Sequence, residues 1–110
     1  MTTDAQEQIR RLQGYEQNLQ GYMQQKQELQ NELLEINSAQ KALSDNPEEA
    51  FRIIGNLMVK QDPATMRKEI DDKKQELNQK IEALEKQENQ IREKATRIRN
   101  ELMENMNKEG

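Results

Sequence analysis

Residues 50–62, AFRIIGNLMVKQD, do not fit the chain that surrounds them. On either side lie polar stretches rich in Gln, Glu and Lys, with apolar residues spaced at one or two per helical turn. Inside the segment seven of thirteen residues are apolar or β-branched, packed into positions 50–59, and Gly55-Asn56 sits among them. Gly-Asn flanked in this way is a two-residue hairpin signal and predicts strands at about 50–54 and 57–61. Pairing Ile54 with Leu57 sends Ile54, Leu57 and Val59 to one face with Arg52, and Phe51, Ile53 and Met58 to the other with Lys60. Both faces are largely apolar, whereas a lone two-stranded hairpin is marginal in water. Unpaired edges beside apolar faces invite further strands. Phe51, Ile53, Ile54, Gly55, Asn56, Leu57, Met58 and Val59 are therefore expected to join subunits through a shared intersubunit sheet or a closed β-barrel. The alternative, a hairpin folded down over its own helix ends as a cap, leaves one apolar face wet.

Outward from the hairpin, two heptad arrays flank it. In residues 5–43, position a falls on Ala5, Leu12, Leu19, Lys26, Leu33 and Gln40, and d on Gln8, Tyr15, Tyr22, Leu29, Ile36 and Leu43. In residues 66–106, d falls on Ile70, Leu77, Leu84, Ile91, Ile98 and Asn105, and a on Arg67, Lys74, Ile81, Glu88, Ala95 and Leu102. Sustained heptads of this kind predict a coiled coil. The cluster Ser44, Asp45, Asn46 and Pro47 stops the first helix. Asp62 is positioned as N-cap of the second, with Pro63 at its first turn. The expected organisation is a single domain, 1–110: helix about 5–44, hairpin about 50–61, helix about 63–107.

The arrays also predict how they meet. If the helices run antiparallel, pairing residues whose numbers sum to 110 sets a against d at every layer, with the reversal at Gly55. Leu12 then faces Ile98, Leu19 faces Ile91, Leu33 faces Leu77, and Tyr22 faces Glu88, which could accept its hydroxyl proton. Lys26, Lys74, Gln40, Glu88 and Arg67 dilute the seam, and polar seam residues fix register at some cost in stability. Gly14 and Gly21, at position c, each cost the first helix about 1 kcal/mol relative to Ala. The end of the hairpin far from Gly55 is therefore expected to be the softer one.

Composition narrows the function. Of 110 residues, 32% are hydrophobic, 3% aromatic and 35% charged, which leaves long helices or disorder, and the periodicity decides for helices. With no Cys and no His, thiol chemistry, disulfides, the usual zinc sites and His-based acid–base pairs are excluded. Carboxylates spread along helix faces read as a solvated surface, so the chain is expected to be a non-enzyme without cofactor or metal. Residues 66–110 carry eleven basic and eleven acidic groups in alternation, which disfavours a helical arm gripping RNA. No apolar run is long enough to span a membrane, and MTTDAQEQIRR lacks the apolar region of a signal peptide, so a cytoplasmic location is expected.

Two heptad helices joined by one hairpin carrying IIGNLMVKQD resemble a prefoldin subunit of the β class. The most specific part of the resemblance is NPEEAFRIIGNLMVKQDP followed by KKQELNQKIEALEKQENQIREK. It implies a mainly α fold, a long antiparallel two-helix coiled coil with a single β-hairpin at the turn. It also implies a hetero-hexamer with α-type subunits and further β-type copies, hairpins forming a barrel platform and coiled coils hanging from it. The implied activity is that of an ATP-independent holdase, which captures unfolded proteins at the coiled-coil tips and delivers them to a group II chaperonin. No strict motif marks the grip in that family, so the tip assignment rests on geometry. Ile9, Met103 and Met106 fall at positions e, b and e near the free ends, where with Ala5, Leu12 and Leu102 they would form an apolar, adaptable tip. The rival reading is a structural coiled-coil adaptor whose hairpin oligomerises it and whose helices bind one fixed partner.

Overall fold

The computed structural model describes residues 2–109, with side chains over 4–107. The one-domain reading of 1–110 reaches Met1 and Gly110, which lie outside these. Four elements follow in chain order: α1 (Thr2–Ser44), β1 (Ala50–Ile54), β2 (Leu57–Gln61) and α2 (Pro63–Glu109). The strands pair antiparallel with Ile54 against Leu57, Ile53 against Met58, Arg52 against Val59, Phe51 against Lys60 and Ala50 against Gln61. This is the register that the Gly-Asn turn and the period of two predict. At the turn only Gly55 has positive φ, at 59°, so the connection is of the type with glycine at its first central position.

The helix ends have local causes. Asn46 adopts the left-handed region with φ 53°, its N–H donates to Leu43 O at 3.3 Å, and Pro47 follows. Asparagine tolerates that conformation better than other residues with a Cβ, and proline cannot continue a helix. At the start of α2 the Asp62 carboxylate accepts from Thr65 N–H and Thr65 Oγ1, both at 3.2 Å. Asp62 C=O takes the first helical bond, from Met66 N at 3.0 Å. Pro63 occupies the first helical position, where its missing N–H removes no bond.

Contacts group the chain into two compact units, Glu28–Ile81 and Met1–Gln27 with Glu82–Gly110. In the first, the seam runs through Leu29, Leu33, Ile36, Gln40 and Leu43 of α1, and Arg67, Ile70, Lys74, Leu77 and Ile81 of α2. All of these are shielded, with Leu77 and Leu43 buried. Its polar members are paired rather than merely tolerated. Lys74 Nζ donates to Gln40 Oε1 at 3.0 Å, and Gln40 Nε2 donates to Asp71 Oδ1 at 2.9 Å. Arg67, which the heptad reading treats as a dilution of the seam, caps α1. Its Nε donates to Leu43 O at 3.1 Å and its Nη2 to Asn46 Oδ1 at 3.2 Å. A cation that satisfies carbonyls at a helix C-terminus also opposes the negative end of the macrodipole.

In the second unit Leu84, Ala95 and Ile98 are buried, and Leu12, Tyr15, Leu19, Tyr22, Ile91 and Leu102 are partly shielded. The heptad assignment holds except at Asn105, a d position that is exposed. Glu88 is 1% exposed. Its partner is not the Tyr22 hydroxyl that the register suggests. Lys26 Nζ lies 2.9 Å from Glu88 Oε1, and Arg92 Nη2 donates to Glu88 Oε2 at 3.1 Å. The Lys26 contact is a charge pairing off the hydrogen-bond direction, so Oε1 is neutralised without a well-aimed donor. A carboxylate this deep needs cations, because a phenol alone does not balance its desolvation.

Candidate functional site

The hairpin is rooted but not covered. Ala50 is buried at its base and Gln61 partly shielded, while all residues from Phe51 to Lys60 are exposed. Ile53 is 72% exposed on one face and Leu57 69% on the other. Six large apolar side chains, Phe51, Ile53, Ile54, Leu57, Met58 and Val59, thus face solvent. Burying one such side chain contributes roughly 1.5–3 kcal/mol, so covering both faces offers on the order of 10 kcal/mol.

The edges are free as well. A two-residue turn makes Ile54–Leu57 a mutually hydrogen-bonded pair, and the pattern alternates along an antiparallel ladder. The backbone N–H and C=O of Phe51 and Ile53 therefore point out from one edge, and those of Met58 and Lys60 from the other. Polar contacts tie the hairpin to α2 through Glu69 and to the α1–β1 connection through Glu49. Arg52 Nη1 lies 3.5 Å from Glu69 Oε2, Gln61 Nε2 donates to the same oxygen at 3.1 Å, and Lys60 Nζ lies 3.3 Å from Glu49 Oε1. Exposed pairs of this kind contribute about 0–1 kcal/mol each. They aim the hairpin without hiding its apolar faces.

The second candidate surface lies in the unit that holds the free ends. Ile9, Met103 and Met106 are 46%, 58% and 65% exposed, while Ala5, Leu12 and Leu102 sit half-shielded at the seam. The off-seam three point to solvent as their heptad positions require; the other three divide their surface between seam and solvent. Two further exposed apolar residues, Met23 and Leu34 on α1, have no role in the sequence reading. The signal was present, since both also sit at off-seam positions e and b.

Among the described residues no group of acidic side chains is arranged to hold a metal ion. No described helix is long and apolar enough to cross a membrane.

A family model described as "Prefoldin subunit" matches residues 6–109. The prefoldin subunit beta of Thermococcus onnurineus is 40% identical over 88 residues, covering 76% of this chain and 73% of its own length. That of Sulfurisphaera tokodaii is 35% identical over 91 residues, covering 81% and 73%. The crystal structure of the prefoldin beta subunit from Thermococcus strain KS-1 superposes with a TM-score of 0.85 at 29% identity, over 92% of this chain and 90% of that one.

Proposed function

This chain belongs to the prefoldin subunit family, and from that premise we propose that it is a β-type subunit of a hexameric, ATP-independent holdase. It assembles with α-type subunits and further β-type copies through its hairpin. The observation that carries this reading is the hairpin itself, with two apolar faces and two free edges that its own chain leaves uncovered. Strand addition at the edges and closure into a barrel remove both liabilities together. Capture then falls to the free ends, where Ile9, Met103 and Met106, backed by Ala5, Leu12 and Leu102, present apolar surface off the seam. Unfolded clients expose apolar segments of no fixed sequence, and flexible thioethers suit such contacts. The holdase works in the cytoplasm, passes clients to a group II chaperonin, and needs neither cofactor nor catalytic group.

The test uses the complex reconstituted with an α-type partner. Replacing Ile9, Met103 and Met106 with Gln should keep helix content and oligomer mass while suppression of aggregation of denatured proteins falls. Full capture by that variant would mean that clients are held elsewhere. A wild-type complex that ignores unrelated denatured proteins and binds a single partner would instead mark a coiled-coil adaptor.

A further inference from the structure

The chain has six Met and no Cys, His or Trp, so its thioethers are its principal targets for two-electron oxidants. Their surroundings differ. Met66 is partly shielded beside the start of α2, and Met58 lies in the hairpin that assembly covers. Met23 is exposed on α1 away from the free ends. Met103 and Met106 are exposed at the free ends, at heptad positions b and e that the seam does not use. Among the described residues there, they supply two of the three large exposed apolar groups, and Ile9 is the third.

We infer that Met103 and Met106 form an oxidation-sensitive modification site that turns the grip down under hydroperoxide and is reset by reduction. This rests on the capture role given to the free ends above. In the chemical step a thioether lone pair attacks one oxygen of hydrogen peroxide. The O–O bond breaks, an S–O bond forms, and a proton shift releases water. Sulfur is oxidised by two electrons and the peroxide is reduced by two. The product sulfoxide is polar and chiral, and it prefers water to an apolar client segment. Because neither sulfur lies in the seam or the hairpin, the change alters the capture surface and leaves the coiled coil and the subunit contacts in place. Reduction by methionine sulfoxide reductases, one for each sulfoxide epimer, restores the thioether.

The experiment treats the assembled complex with graded hydrogen peroxide. It reads sulfoxide at each Met by peptide mass mapping, oligomer mass in solution, far-UV circular dichroism, and capture of a denatured protein. Capture should fall several-fold in step with oxidation of Met103 and Met106, at constant helicity and oligomer mass, and return after treatment with the reductases. In a Met103→Leu/Met106→Leu variant the ratio of capture after to before oxidation should stay near one, whatever its starting level. A Met23→Leu variant should keep the wild-type sensitivity. The inference is overturned if Met103 and Met106 resist peroxide, if capture persists with both oxidised, or if the Leu variant loses capture in the same proportion. Capture lost together with oligomer mass would place the sensitive sulfur at Met58 and also overturn it. The Gln variant of the previous section separates the two readings. If that variant loses capture while the oxidised wild type retains it, the tip still grips and only the switch is wrong.

Discussion

Glu88 and Ile53 invert the ordinary relation between charge and burial. The carboxylate is 1% exposed and the isoleucine 72% exposed. The seam around Glu88 is closed within the chain, because Lys26 and Arg92 supply the charge that makes burial tolerable. The hairpin around Ile53 is open, because each strand has one neighbour and no layer packs on either face. A polar group can sit inside a two-helix seam once its partner comes from the facing helix. The apolar faces of this two-stranded sheet have no facing element among the described residues. Burial here therefore follows whether a partner is within reach, more than hydrophobicity itself.

The largest effect should come from charging the open side of this comparison. Changing Ile53 and Leu57 together to Lys places an ammonium on each hairpin face. Far-UV helicity should stay mostly intact, while sedimentation should show that assembly with an α-type partner is lost; an unchanged complex mass would mean the hairpin is not the interface.

The closed side breaks by a different route. Lys26→Met strips one of the cations that neutralise Glu88. Its cost should lie toward the lower end of the roughly 3–5 kcal/mol expected when a buried charge loses a partner, since Arg92 remains. Replacing Lys26 and Glu88 together by Leu should recover that loss or exceed it in thermal melts followed by far-UV circular dichroism. If the double variant melts lower than Lys26→Met, the pair stabilises the seam beyond merely balancing its own desolvation.

A smaller effect sharpens the contrast between local and packed stability. A Cβ added at Gly14 or Gly21 meets no atom within 4 Å, so neither glycine is required by packing in this chain. Each Gly→Ala change should stabilise the chain by about 1 kcal/mol. No gain in denaturant midpoint would indicate that something else occupies that space in solution.

The smallest effect is electrostatic. The hydrogen bond from Lys80, with the charges of Lys73 and Lys80, holds the Glu76 carboxyl below its ordinary range. The contacts are 3.1 Å to Lys80 and 3.7 Å to Lys73. A depressed folded pKa contributes stability that is present above the unfolded carboxylate pKa. That stability is lost as the pH falls through the lower, folded value. Lys80→Met should remove this small contribution near neutrality and change little at low pH, which flattens this part of the acid limb of stability against pH. An acid limb of unchanged slope would mean that the pairing is broken in solution.

Much of this architecture was legible before any coordinates. The hairpin register was readable because the turn and the period of two act over neighbouring residues, so Gly55-Asn56 settles which residue opposes which. The seam was readable because every a and d residue of the first array repeats at seven, and all are shielded. The polar layers were not. Lys26 shares its expected layer with Leu84, yet its long stem reaches one turn along to Glu88. Arg67 read as a weak seam residue and instead closes the end of α1, because its fork reaches a backbone carbonyl that no side-chain pattern encodes. For the candidate site, the off-seam positions of Ile9, Met103 and Met106 were visible in the heptads. Met23 and Leu34 occupy off-seam positions of the same kind and are exposed as well.

The sequence by itself determined the elements and the register of the hairpin. Turn chemistry, caps and repeat period are interactions between residues a few positions apart, and they survive without knowledge of what lies across the molecule. Only the tertiary structure decided which polar side chains became partners and which apolar ones stayed wet. Partnership depends on side-chain reach across the seam, and exposure depends on whether any other element packs there. Glu88 is buried because two cations of the folded chain reach it, and Ile53 is exposed because no other described element packs over it.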